Sequence, residues 1–216
     1  NGFRLNTSKF IQSCKDYFIS HDILKSDEFR YENILIKENN VIYKNIKARH
    51  IIFCEGHKVM NNPFFNYLPM RPTKGELLEI KTKNHYTKVC LQKSQFILPT
   101  GSNSFKLGSN YDRDNLNETP TEKVKNSLID FFHNSTSIDY SIKKHQAGIR
   151  PSTIDRRPFI GSHPIHKNLW IFNGFGSKGV SLCPYFSSHL SSHIFNNEVL
   201  SDEVNIIRYI KYFSKL

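Results

Sequence analysis

Apolar residues along this chain recur at two periods, one of three to four residues and one of two. Phe10, Ile11, Cys14, Tyr17 and Phe18 follow the longer period, and Thr7 or Ser8 stands where a side chain caps a first turn. A packing helix running to about Ile19 is expected there. Ile34-Leu35-Ile36 and Val41-Ile42-Tyr43, separated by Glu38-Asn39-Asn40, read as a hairpin. Ile51 to Cys54 is continuously apolar and ends at Glu55-Gly56. That pattern suits a buried parallel strand whose C-terminal end opens on a ligand crevice. From Asn61 onward turn residues take over, with Asn61-Asn62-Pro63 and Pro69-Met70-Arg71-Pro72. Short, closely spaced strands follow at 76–80, 88–91, 95–98 and 105–108, as in an antiparallel sheet. Thr119 or Thr121 begins a helix to about Phe132 with Val124, Leu128, Phe131 and Phe132 on one face, and a strand from Ser141 to Ala147 delivers Arg150. Leu169 to Phe172 reads as a strand that leads through a glycine-rich turn into a helix with Pro184 in about its first turn. Val204 to Phe213 reads as a short, exposed helix or strand.

The expected fold is therefore α/β (α+β). A parallel-type layer, residues 1–57 and 148–216, encloses an inserted antiparallel domain, residues 58–147. No apolar run is long enough to cross a membrane. Cys14, Cys54, Cys90 and Cys183 are scattered among apolar neighbours and are expected to be reduced, buried thiols of a cytoplasmic protein. The net charge of +11 admits either a plainly basic, solvated surface or a face for a polyanion. The lysines are dispersed, and Lys143-Lys144-His145 and Arg156-Arg157 are the only tight clusters. The ten histidines show no metal-ligand spacing beyond His163 and His166, which flank Pro164. The opening Asn1-Gly2-Phe3-Arg4 has no initiator Met and no signal-peptide core, so a further segment is expected upstream.

Three places carry candidate chemistry. Arg150, held by Pro151 at the end of a strand, either grips a carboxylate through two parallel hydrogen bonds or makes a structural ion pair, for example with Asp155. The turn Gly174-Phe175-Gly176-Ser177-Lys178-Gly179-Val180 aims backbone N–H groups and the positive end of a helix dipole at one spot, which suits an electron-rich or anionic ligand. Lys178 either adds a charge there or points to water. Gly56 lets a ligand lie against the backbone, or is an ordinary strand-end turn. Phe96, Tyr111 and Asp112 of the inserted sheet either roof the site or are plain core or surface residues. No Ser-His-Asp or Cys-His pattern and no phosphate-binding loop is present.

Gly148-Ile149-Arg150-Pro151, Asp155-Arg156-Arg157-Pro158-Phe159-Ile160-Gly161 and Gly174 to Pro184 together resemble the C-terminal three-fifths of FAD-dependent oxidoreductases of the D-amino-acid oxidase, glycine oxidase and sarcosine oxidase group. Lesser matches are Ile51 to Gly56, Pro72-Thr73-Lys74-Gly75-Glu76, and Phe96 to Pro99 with Leu107-Gly108. The resemblance implies an incomplete Rossmann-like FAD-binding layer with an inserted antiparallel-sheet substrate domain. It implies FAD as cofactor, held by Gly56 and by Gly174 through Val180. It implies a small amine or amino-acid substrate at Arg150, Phe96 and Ser177, with Arg150 on the carboxylate. Phe96 stands where the group often has an aromatic hydroxyl, and Ser177 near a second substrate arginine of glycine oxidase, so both polar contacts are missing. The fingerprint G-x-G-x-x-G that opens such chains is absent, and the N-terminal flavin-binding segment is expected to lie elsewhere. Two alternatives stand beside an amine oxidase. One is the oxidase half of a tRNA wobble-uridine modification enzyme, which makes tRNA a partner. The other is a non-catalytic fragment that needs the missing flavin-binding half.

Overall fold

The structure is a computed structural model and describes residues 4–83 and 87–213. Asn1-Gly2-Phe3, on which the chain opens, lie outside the described residues. The chain is mixed α/β and divides into two compact units, Asn1–Pro69 with Asp155–Leu216, and Met70–Ile154. The divisions fall later than residues 57 and 147. Val59, Phe65 and Leu68 are buried, and the Phe65 ring meets Phe53 and His163, so the turn-rich stretch belongs to the first unit.

The first unit begins with helix α1 (Thr7–Ser20), capped by Asn6, whose side chain accepts the Lys9 N–H at 3.1 Å. The cap is thus one residue earlier than Thr7. None of its residues is buried, and Phe10, Ile11, Tyr17 and Phe18 are 42–64% exposed. The apolar face expected to pack has no cover among the described residues. Strands β1 (Ile34–Ile36), β2 (Val41–Tyr43) and β3 (Ile46–Ala48) form an antiparallel meander, with Ile34 opposite Tyr43 and Val41 opposite Ala48. Strand β4 (Ile51–Phe53) pairs in parallel with β11 (Leu169–Asn173), which pairs antiparallel with β10 (Phe159–Ser162). Phe53 is buried but Ile52 is 43% exposed, because β4 is an edge strand among the described residues and only part of it is covered. Helix α3 (Gly179–Asn196) sends Leu190 into a core with Ile160, Trp170, Leu200 and Val204. Pro184 lies in its second turn, one turn deeper than expected. The stretch after Val204 is not wholly exposed: Val204 and Ile206 are buried, and the Ile160 N–H bonds to Val204 O at 2.9 Å. A 3-10 turn at Ile206–Tyr209 and the short helix α4 (Ile210–Phe213) close the unit.

The second unit is a five-stranded antiparallel sheet in the order β6-β7-β8-β5-β9. Its strands are β5 (Thr73–Thr82), β6 (Leu91–Gln92), β7 (Phe96–Pro99), β8 (Ser104–Gly108) and β9 (Tyr140–Arg150). Lys88 to Cys90 precede β6 without pairing. Even-numbered residues of β5 point to one face, where Leu78 and Ile80 join Ile97, Phe105 and Leu107. Helix α2 (Glu122–His133), capped by Thr121, closes that face with Leu128 and Phe132. The four cysteines are free as expected, but none is buried: Cys54 and Cys90 are exposed, Cys14 and Cys183 partly so.

Candidate functional site

Each unit presents one cluster. In the first, β4 and β11 run parallel and end side by side, and their carboxyl ends lead into Gly56 and Gly174. Buried Asn173 ties the two ends together. Its Nδ2 donates to Gly56 O at 2.8 Å, and its Oδ1 accepts the Gly174 N–H at 2.8 Å. Gly56, Gly174 and Gly176 have φ of 61°, 78° and 55°, a region that favours glycine. From Phe175 to Val180 only the Lys178 N–H finds an acceptor among the described residues, Phe175 O at 2.9 Å. Lys178 caps α3 without a side-chain hydrogen bond, so the first N–H groups of an 18-residue helix stay open beside the turn. Ser177, Lys178 and Val180 are exposed, while Phe175 is partly buried against Phe172 and Phe186. The turn and Gly56 are thus brought together, by an asparagine that sequence reading missed. Its only signal was a polar residue ending an apolar strand.

Glu55, beside Gly56, is spoken for. Its carboxylate accepts the Tyr31 hydroxyl at 2.5 Å and Asn62 Nδ2 at 2.7 Å. Burial, and then this bond to Glu55, push the Tyr31 phenol well above its ordinary value. Asp155 pairs with Arg208, whose Nε donates at 3.0 Å, and Arg157 pairs with Glu203. His163 and His166 stack in a ring of aromatic side chains, and His163 Nδ1 accepts the N–H groups of Ile165 and His166. That nitrogen is unavailable to a metal, and no metal-binding group of three His, Cys, Asp or Glu exists among the described residues.

In the second unit the register builds a floor. Thr73 faces Arg150, Gly75 faces Gly148, and Leu77 faces Gly108, which in turn faces Phe96. Residues directly opposite on paired strands share a face, so Arg150 and Phe96 stand on the face away from α2, with three glycines between them. Phe96 packs over Gly108, where a Cβ would come within 2.8 Å of its ring. Arg150 is partly buried, and its Nη1 donates to the carbonyls of Lys74 and Asn110, both at 3.3 Å. Its Nη2 donates to Ser109 Oγ at 2.7 Å, and its Cζ lies 4.7 Å from the centre of the Tyr111 ring. No carboxylate lies within salt-bridge distance of it among the described residues. Burial lowers its pKa and Tyr111 opposes the shift, but a guanidinium stays charged at any ordinary pH. Asp112 acts in the loop itself, accepting the N–H groups of Asp114 and Asn115, and those bonds hold its carboxyl below the ordinary range. The roles of Gly75, Ser109 and Asn110 around Arg150 left no trace in the sequence pattern.

Glycine oxidase of Bacillus subtilis (strain 168) is 25% identical over 214 residues, covering 90% of this chain and 56% of its own length. A Leptospira interrogans protein named for tRNA 5-methylaminomethyl-2-thiouridine biosynthesis, the bifunctional MnmC, is 23% identical over 257 residues, covering 97% of this chain and 38% of its own. Among solved structures, iminodiacetate oxidase from Chelativorans sp. BNC1 superposes with a TM-score of 0.65 at 18% identity, over 82% of this chain and 51% of that one. The chain therefore spans about half or less of the relatives it matches. Residues 29–192, three quarters of the chain, match the FAD dependent oxidoreductase family DAO, and the chain belongs to that family.

Proposed function

We infer that this chain is the substrate-binding and flavin-contacting part of an FAD-dependent oxidoreductase that oxidises the C–N bond of an amine or amino acid bearing a carboxylate. The observation that carries this reading is Arg150, a partly buried cation with no carboxylate partner among the described residues. Such a cation in a fixed frame suits an anionic ligand that supplies the missing charge.

The residues of the first unit fit a flavin. The open N–H groups from Phe175 to Val180 and the start of α3 suit the electron-rich edge of a planar ring, and Gly56, Gly174 and Gly176 allow its close approach. Bound FAD supplies a two-electron acceptor for the hydride. Fixed N–H dipoles at the turn stabilise negative charge on that ligand without having to reorganise. Arg150 binds and orients the substrate carboxylate. Phe96 adds an apolar wall and has no proton to give or take. A neutral substrate amine that gives up a hydride becomes an iminium, which passes its proton to water and is then hydrolysed by water, so no side chain has to act as acid or base.

The test is Arg150→Ala in the intact flavoprotein. KM for a carboxylate-bearing amine should rise by about a hundredfold or more, the scale for losing one partner of a buried hydrogen-bonded charge pair. The flavin should stay bound. An unchanged KM removes Arg150 from the site and the reading with it.

A second reading has one specific support, the alignment of 97% of this chain with a protein named for tRNA 5-methylaminomethyl-2-thiouridine biosynthesis. In it the same guanidinium reads a carboxylate carried on a tRNA base.

A further inference from the structure

The side chain of Arg150 is held by more than hydrogen bonds. A Cβ built on Gly75 would stand 2.0 Å from Nη2, 2.3 Å from Cζ and 2.4 Å from Nη1, so the guanidinium occupies the space a side chain at position 75 would fill. The Tyr111 ring lies 4.7 Å from Cζ and is itself 71% exposed. Lys74 O, Asn110 O and Ser109 Oγ take three of the guanidinium's N–H groups. A guanidinium has five. Among the described residues nothing accepts Nε–H or the second Nη2–H, which sit on the two nitrogens that can together meet the two oxygens of a carboxylate.

The supporting frame is continuous. Lys74 and Asp112 exchange backbone hydrogen bonds at 2.7 and 3.0 Å, and the Glu76 N–H bonds to Asn110 Oδ1 at 2.8 Å. Lys74-Gly75-Glu76 thus fixes the loop that carries Ser109, Asn110 and Tyr111. The bare backbone in its middle receives the guanidinium.

We propose that Gly75 and Tyr111 are positioning residues for Arg150: Gly75 makes the room, Tyr111 holds the guanidinium in it, and together they keep two N–H groups aligned for a carboxylate in preference to a neutral amide. This rests on Arg150 being the carboxylate site. Gly75→Ala displaces the far end of a flexible side chain and not backbone, so the sheet is expected to stay folded while the cation moves. Tyr111→Phe keeps the ring that faces the cation, and Tyr111→Ala removes it.

The experiment is titration of the full chain with acetate, and separately with acetamide, followed by NMR through the amides of residues 74–76 and 109–111. Amides of the Leu78–Leu107 core report folding. Acetate should bind and acetamide should not. Gly75→Ala should weaken acetate tenfold or more. Tyr111→Ala should weaken it about threefold to tenfold, on the scale of a partly exposed cation–π contact. Tyr111→Phe should stay within twofold. If Arg150→Ala abolishes acetate binding while Gly75→Ala and Tyr111→Ala leave it within twofold, the positioning roles are wrong and the carboxylate site stands. If Arg150→Ala changes nothing, or acetate does not bind at all, both fall. Should Gly75→Ala not fold, the Tyr111→Ala and Tyr111→Phe pair decides alone, and equal loss in both overturns the role of the ring.

Discussion

His163 is 4% exposed, ringed by Phe64, Phe65, Tyr67 and Phe213, and its Nδ1 is engaged by two backbone N–H groups. Burial first, then the neighbouring His166 and Lys167, push its pKa from 6.5 down to about 4. The unfolded chain therefore protonates this imidazole near pH 6.5 and the folded chain only near pH 4. Between those values the unfolded state holds more protons, so stability is fully present above pH 6.5 and falls as pH drops toward 4. The loss should be about 2–3 kcal/mol. His163→Asn, whose amide oxygen can accept the same N–H groups, should flatten that part of the curve in urea unfolding at stepped pH. An identical slope in the variant would show that another group is responsible. Arg150 stands out in the sequence because it lies in Gly148-Ile149-Arg150-Pro151, and its role at a carboxylate is our proposal. Gly75 does not stand out, because the atom it accommodates comes from 75 residues away and only folding brings it there.

At the scale of elements, a buried polar cluster joins β5 to α2 in the second unit. Lys74 and Glu76 are both fully buried, two residues apart on one face of β5. Lys74 Nζ donates to Thr119 O at 2.6 Å and to Asn117 Oδ1 at 3.0 Å, and lies 3.7 Å from Glu76. The Glu76 carboxylate takes the N–H and hydroxyl of Thr121, the cap of α2, at 2.8 and 3.0 Å. Glu76→Ala leaves a buried ammonium with no carboxylate and a helix cap without its acceptor. It should cost about 3–5 kcal/mol. Glu76→Gln, which keeps an acceptor, should cost clearly less. Hydrogen exchange of the β5 amides measures both, and equal losses would show that packing volume, not the carboxylate, holds the joint. Helices α1, α2 and α3 were readable from a repeated period, and the hairpin, β4 and most of the antiparallel sheet from short apolar runs bounded by turn residues. β3 and β10 were not, since Lys47 interrupts the apolar run in one and Gly161 in the other, and only pairing with β2 and β11 defines them. Helix α1 shows the opposite limit. Its apolar stripe announced a helix correctly, but a stripe does not say what covers it, and among the described residues nothing does.

At the scale of the molecule the distribution of charge separates the two substrates we propose, a free amine and a tRNA-borne group. Residues 70–154 carry thirteen Lys and Arg against eight Asp and Glu, and the rest of the chain seventeen against eleven. The excess is divided almost evenly between the two units, and part of it is spent inside them: Lys74 is fully buried, and Arg157, Arg208 and Lys125 are paired with carboxylates. A protein that binds a nucleic acid through its phosphates concentrates such charge, and its affinity falls by about 10³ to 10⁵ between 50 and 200 mM salt when six to ten phosphates are contacted. A small carboxylate held by one partly buried guanidinium meets a single charge, and screening acts weakly on a site set back from solvent. In the intact oxidoreductase, kcat/KM for a free carboxylate-bearing amine should therefore change by no more than about threefold over that salt range. A tRNA substrate under the same conditions would show the steep logarithmic slope. If turnover requires the tRNA-borne group and collapses with salt, the dispersed charge is a binding surface after all, and Arg150 reads its carboxylate on a macromolecule.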